Sequence, residues 1–176
     1  KADSVNMPYI TERWPGGMLT NFVTIRKAVK KMNAIDRMKA DGTFETLSKK
    51  EKLQVDRQRA KLEKNLGSIS DMTRLPGAIF VVDTLNEKIS VQEAQTLNIP
   101  IFAMVDTNSD PNEVDFIIPS NDDASKSIEK ILDIVCSAIK ESLEERKKEK
   151  EIDEQKKLEE AEAISNADDT DASEEE

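Results

Sequence analysis

Two short, unbroken apolar runs, Ala78-Ile79-Phe80-Val81-Val82 and Ile101-Phe102-Ala103-Met104-Val105, constrain this chain more than any other feature. A strand with one face in water alternates apolar and polar residues, whereas a strand covered on both faces has no need to. Runs like these therefore belong to a buried parallel sheet. Parallel neighbours require a crossover, and residues 87–97 between them carry Ile89, Ala94 and Leu97 in a stretch long enough for a helix. The expected unit is strand, helix, strand, with a right-handed crossover. Residues 115–119 add a brief third strand. Ser125 to about Leu143 adds a last helix, with Ile128, Ile131, Leu132, Val135, Cys136 and Ile139 turned inward, and Glu144 and Lys148 beyond it stand at a pairing distance of four residues.

Upstream of Gly67 the pattern is different. Residues 7–14 look extended and stop at Pro15-Gly16-Gly17, a strong turn signal. A helix follows, capped by Thr20 or Asn21, with Phe22, Ile25, Val29, Met32 and Ile35 on one face and Arg26, Lys27, Lys30, Lys31 and Arg37 on the polar one. Asp41-Gly42 breaks it, and Ser48 with Glu51 has the spacing of a capping box for a second helix. The apolar stripe of that helix, Leu53, Val55, Ala60, Leu62 and Leu66, is narrow, which suits two helices packed on each other better than burial against a sheet. Residues 20–66 are expected to form an antiparallel helical hairpin, a coiled coil, carrying thirteen Lys and Arg against six Asp and Glu.

Charge is unevenly distributed. Residues 151–176 hold twelve acidic residues and two lysines, a local charge equal to the −10 of all 176 residues, so residues 1–150 are neutral overall. The pI of about 4.7 thus describes a tail and says nothing against a nucleic-acid partner for the body. The expected division is an α/β domain from 1–19 and 67–143, the hairpin insertion 20–66, a charged helical extension 144–160 and a disordered acidic tail 161–176. With no histidine and one cysteine, Cys136, the usual zinc sites and the serine, histidine, aspartate triad are excluded by inventory. Cys136 reads as packing in a helix face, which suits a reducing compartment. No apolar run approaches the ~20 residues of a membrane span, and no secretory signal is legible, so a soluble cytoplasmic protein is expected.

Two sets of residues are candidates for chemistry. Asp83 follows the first strand, and Asp106 and Asp110 follow the second, where open α/β sheets bind their ligands. Carboxylates there suit magnesium or acid–base work, as in an enzyme or phosphoacceptor domain. They equally suit turns and caps that bond local amides. Neither G-x-x-x-x-G-K-[ST] nor G-x-G-x-x-G occurs, and no cofactor is expected. The second set is basic: the lysines and arginines of the hairpin can reach phosphates, although a charged helix pair is also simply soluble, or a protein-interaction module. Trp14 beside Arg13 suits stacking on a base or a guanidinium, or covering the rim of the core.

The segment Glu12-Arg13-Trp14-Pro15-Gly16-Gly17-Met18-Leu19-Thr20-Asn21-Phe22 resembles the one that introduces the helical hairpin in the bacterial small-subunit ribosomal protein S2 family. A second block, Leu75-Pro76-Gly77-Ala78-Ile79-Phe80-Val81-Val82-Asp83 with Glu93-Ala94 and Asn98-Ile99-Pro100, is similar to the same family. So is a third, Val105-Asp106-Thr107-Asn108-Ser109-Asp110-Pro111 with Asp115-Phe116-Ile117-Ile118-Pro119-Ser120-Asn121-Asp122-Asp123-Ala124. The resemblance covers roughly residues 7–145. It implies a flavodoxin-like parallel sheet flanked by helices with an inserted coiled-coil hairpin. It also implies a non-catalytic, structural role on the back of the small subunit, contacting ribosomal RNA and neighbouring proteins, and helping to hold ribosomal protein S1. The RNA-contacting residues expected on this basis are Arg13, Trp14, Arg26, Lys27, Lys30, Lys31 and Arg37, with Gly16 and Gly17 shaping the turn. Family members begin with a further segment containing a helix, the first strands and a His-Phe-Gly motif, so this chain is expected to be incomplete at its N-terminus, with apolar sheet edge exposed and no histidine for a metal.

Overall fold

The computed structural model describes the backbone of residues 1–171 and the side chains of residues 1–155. Contacts divide the chain into two units, Lys1–Ile131 and Leu132–Glu176. The first holds a three-stranded parallel sheet in the order β1 (Ile79–Val82), β2 (Ile101–Val105), β3 (Phe116–Pro119). Helix α3 (Lys88–Thr96) makes the crossover from β1 to β2. Ile79 lies opposite Ile101, and Phe102 opposite Phe116. The Asp115 carboxylate accepts the Ile101 amide at 2.9 Å, fixing where β2 begins.

Side chains alternate across a strand, and the register carries that alternation across the sheet. Ile79, Val81, Ile101, Ala103 and Val105 share the face that joins the main core, with Val91 and Ala94 of α3 and Met18, Leu19, Val29, Leu66 and Ile69. Phe80, Phe102 and Phe116 share the opposite face, where Phe102 and Phe116 stack with ring centroids 4.3 Å apart. The burial on both faces expected of β1 and β2 is met only in part: on the second face of β2 Met104 is fully buried, whereas Phe102 is exposed. Phe116, Ile117 and Pro119 of the edge strand β3 are exposed. On α3, Ile89 is exposed. Ser90, Val91, Glu93 and Ala94 form the buried face instead.

Residues 7–14 form no strand. Pro8 removes a ladder donor, and Ile10 and Trp14 pack on the core from irregular chain, so sheet pairing is not what holds the segment. Helices α1 (Phe22–Ala40) and α2 (Lys49–Leu66) follow, joined through a 3-10 turn at Thr43–Thr46. Asp36 pairs with Arg59, and Lys39 with Asp56 at 2.7 Å, so numbers rise along one helix as they fall along the other and the two run antiparallel. Val29, Met32 and Ile35 are buried, as their spacing requires. The capping box is complete: the Ser48 hydroxyl accepts the Glu51 amide and the Glu51 carboxylate accepts the Ser48 amide. At the start of α1 neither expected cap operates. Asn21 occupies the cap position without a side-chain bond, and the Thr20 hydroxyl is committed elsewhere.

Helix α4 runs Ser125–Asp171, and the Asn121 side chain accepts the Ala124 amide at 2.7 Å just before it. Ile128, Ile131, Leu132, Val135, Ile139 and the free thiol Cys136 are half-buried, less than the inward face expected of them. Glu, Lys, Gln, Ala and Leu, all strong helix formers, dominate the later turns and favour their continuation. The side chains of 156–176, and with them the expected tail over 161–176, lie outside the described residues, apart from the helical backbone that α4 carries to Asp171.

Candidate nucleic-acid interface

The Pro15-Gly16-Gly17 turn is built by a carboxylate from far along the chain. The Met18 amide donates to the Pro15 carbonyl at 3.0 Å, closing a four-residue turn whose third residue, Gly17, has φ +81°. That positive φ is what a type II turn demands and what glycine supplies without strain. The chain then presents several amides inward, and Glu93 of α3 receives them. Its carboxylate accepts from the amides of Gly17 at 2.7 Å, Leu19 at 2.8 Å and Thr20 at 3.1 Å. It also accepts from the Thr20 hydroxyl at 3.2 Å and the Trp14 indole N–H at 3.4 Å. Glu93 is only 7% exposed. Burial by itself would raise its carboxyl pKa, but the three amides and the hydroxyl outweigh burial and hold it below the ordinary value.

Gly16 and Gly17 differ in what they tolerate. A Cβ on Gly17 would stand 3.2 Å from the Asn21 Cβ with φ already positive, whereas one on Gly16 meets nothing within 4 Å. Gly17→Ala is expected to cost about 1–2 kcal/mol and Gly16→Ala well under 1 kcal/mol, read as urea unfolding midpoints.

The expected basic residues fall into two groups. Arg26 donates to the Thr73 carbonyl at 2.8 Å, so part of its hydrogen-bonding capacity braces the unit. Lys27, Lys30, Lys31 and Arg37 are exposed, with no ion pair to any described residue. At 3.6 residues per turn they lie on the side of α1 away from buried Val29, Met32 and Ile35. The lysines and arginine nearer the seam with α2 are occupied: Lys39 by Asp56, Lys52 by Glu45, and Arg59 by Asp36 and Glu63. Arg13 is exposed, and Trp14, half-buried, lines with it a cleft of about 420 Å³.

The three aspartates at the strand ends are engaged in local bonds. Asp83, in the left-handed region at φ 62°, accepts the Leu85 and Asn86 amides, each at 3.0 Å. Asp106 accepts the Thr107 amide at 2.7 Å and the Asn121 side chain at 3.2 Å. Asp110 accepts the Asn112 amide at 2.9 Å as the cap of a 3-10 turn. Among the described residues no group of three or more Asp, Glu or Cys is arranged to hold a metal ion. The turn-and-cap reading accounts for all three. Asp122 beside them is buried with one carboxylate oxygen unpartnered, and burial, then Asp83, push its pKa up. An acid whose folded pKa is raised loses stability as pH rises through that value. Asp122→Asn is therefore expected to raise the thermal midpoint at pH 7, by an amount worth up to about 1 kcal/mol, and to leave it unchanged in acid.

The sequence block that forms this turn and its carboxylate partner is not an isolated likeness. Comparison with protein families matches residues 1–142 to the family described as ribosomal protein S2. The chain belongs to the ribosomal protein S2 family. It is 73% identical over 153 residues to the small ribosomal subunit protein uS2 of Flavobacterium johnsoniae, covering 87% of this chain and 60% of that protein. It is 75% identical over 149 residues to uS2 of Christiangramia forsetii, covering 85% and 50%, and 70% identical over 150 residues to uS2 of Phocaeicola vulgatus, covering 85% and 54%. It thus spans between half and three-fifths of the length of these curated relatives.

The residues that sequence reasoning missed are of two kinds. Lys49, Lys50, Arg57 and Lys61 of α2 are exposed without ion pairs, like the cations of α1, and their charge alone could have flagged them. Glu93 and Asn65 carry no such signal, since each looks like an ordinary polar residue on a surface helix. No helix among the described residues is long and apolar enough to cross a membrane.

Proposed function

We propose that this chain is a structural, non-catalytic constituent of the small ribosomal subunit, acting in translation in the cytoplasm and binding ribosomal RNA. Membership of the ribosomal protein S2 family is the observation that carries the reading. The surface chemistry supports it. Exposed, unpaired Lys27, Lys30, Lys31 and Arg37 form a stripe able to neutralise phosphates, and Arg13 stands on a turn held in one conformation by Glu93. Arg26, Trp14, Gly16 and Gly17 complete the proposed contact set, with Arg26 and the glycines acting mainly on the shape of the backbone. In this reading α1 and α2 form a coiled-coil hairpin, spanning 20–66, inserted into a flavodoxin-like α/β domain of 1–19 and 67–143, with 144–160 a helical extension. Neighbouring small-subunit proteins, ribosomal protein S1 among them, are the proposed protein partners, and DNA and membranes are not.

The test is co-sedimentation of the tagged chain with small subunits from cells lacking the resident protein, across a salt series. Association at moderate salt that falls steeply as salt rises supports the proposal. A chain shown by circular dichroism to be folded, yet failing to associate at any salt, would remove it.

A further inference from the structure

The cleft at the turn has the chemistry of a site for one nucleobase. It measures about 420 Å³ and is lined by Arg13, Trp14, Pro15, Gly16, Asn65 and Ile89. Its walls are mainly apolar, and Ile89 is 42% exposed at its edge although it sits on a helix whose neighbouring residues are buried. The Trp14 indole N–H points to Glu93 at 3.4 Å, and Glu93 is itself fixed by four further bonds from residues 17–20. Asn65, half-buried at the end of α2, makes no side-chain hydrogen bond to any described residue, so its amide still offers a donor pair and an acceptor. Arg13 is exposed and unpaired, and Lys61, one turn before Asn65 on the same side of α2, is too.

We infer that this cleft takes a single unpaired RNA base: stacked against Trp14 and Ile89, hydrogen-bonded on its edge by Asn65, with the adjoining phosphate on Arg13. The inference rests on the RNA-binding reading above and deepens it, because cations on α1 suit any polyanion, duplex included, whereas a concave apolar cleft does not admit a base held in a stack. A phosphate alone would leave the apolar walls unused. An acidic peptide would meet Arg13 but leave the Trp14 ring and the Asn65 amide unused.

Trp14 is the only tryptophan, so its emission reports on this cleft and nowhere else. The full chain is titrated with a fluorescein-labelled single-stranded RNA of mixed sequence, and separately with a blunt duplex of the same length, following RNA anisotropy and Trp14 emission together. Quenching of Trp14 that saturates with single-strand binding, and is absent with the duplex, is expected. Asn65→Ala and Ile89→Ala, both outside the core, are expected to weaken single-strand binding by about fivefold to tenfold each, and duplex binding by less than twofold. Salt-dependent binding of both RNAs without quenching, or quenching by the duplex as well, overturns the base site while leaving the RNA-binding reading intact. No binding of either RNA by a folded chain overturns both.

Discussion

Replacing Glu93 by alanine should cost this protein about 3 kcal/mol or more, the largest stability effect of any single substitution we expect outside the apolar core. The carboxylate receives three backbone amides and a hydroxyl at 2.7–3.2 Å, all at a site where water is scarce. Hydrogen bonds to a charged acceptor contribute more than neutral ones, and removing the acceptor strands the donors. With total stabilities of about 5–15 kcal/mol, such a loss is a large fraction of the whole. Glu93→Gln keeps the shape but turns an NH₂ toward donors, and is expected to cost about 2 kcal/mol. The pH dependence follows from the depressed pKa. The contribution of Glu93 is fully present above the ordinary carboxyl value and is lost as pH falls through the lower value of the folded state. The stability gap between parent and Glu93→Gln should therefore be constant at neutral pH and narrow only in acid. Urea unfolding at several pH values measures it, and amide exchange at Gly17, Leu19 and Thr20 should accelerate in the variant. A Gln variant within about 0.5 kcal/mol of the parent would show that the turn holds itself.

What could be read from the sequence was local, and what could not was long-range. The Ser48 and Glu51 capping box needs only a spacing of three residues, and both of its bonds form. The strands were legible because burial on both faces leaves an unbroken apolar run, and β2 is as expected to the residue. The third run was legible as a brief strand, but its Phe and Ile do not say that the strand lies at an edge with Phe116 half in water. Glu93 stood out only as part of a family-resembling block, and its role was not legible: its partners Gly17, Leu19 and Thr20 lie 73–76 residues away in the chain, and no spacing rule reaches that far. The phase of α3 could not be read from its apolar residues either, because Ile89 is exposed and Val91 is buried. The residues Arg13, Trp14, Gly16 and Gly17, grouped by their sequence as one turn, are gathered in the fold around the Glu93 carboxylate, a partner their spacing does not name. The aspartates went the other way: Asp83, Asp106 and Asp110 sit where ligands bind in open sheets, but short Asx bonds to the amides of residues 85, 86, 107 and 112 use them first.

Reversing Lys27, Lys30 and Lys31 together to glutamate should weaken binding to the small subunit by at least about a hundredfold at 0.1 M salt. It should do so without unfolding the chain. All three are exposed and unpaired, so the triple variant gives up no ion pair, and its unfolding midpoint should stay close to that of the parent. Their proposed role is electrostatic, which fixes the form of the loss as well as its size. Each phosphate contact releases counterions and contributes about 0.7–0.9 to the slope of log affinity against log salt, so losing three should flatten the slope by about 2–3. The contrast with the seam between α1 and α2 is the internal control. Lys39 and Lys52 are also lysines on these helices, but they face Asp56 and Glu45 at 2.7 Å. Changing them to Gln should lower the stability of the α1–α2 pair by a few tenths of a kcal/mol, on the order expected for part-exposed pairs, and leave the salt slope nearly unchanged. If the outer lysines behaved like the seam lysines, with affinity and slope unmoved by the triple reversal, then these three charges on α1 would serve solubility alone, and any RNA contact would have to be made from elsewhere, the Arg13–Gly17 turn or the exposed cations of α2.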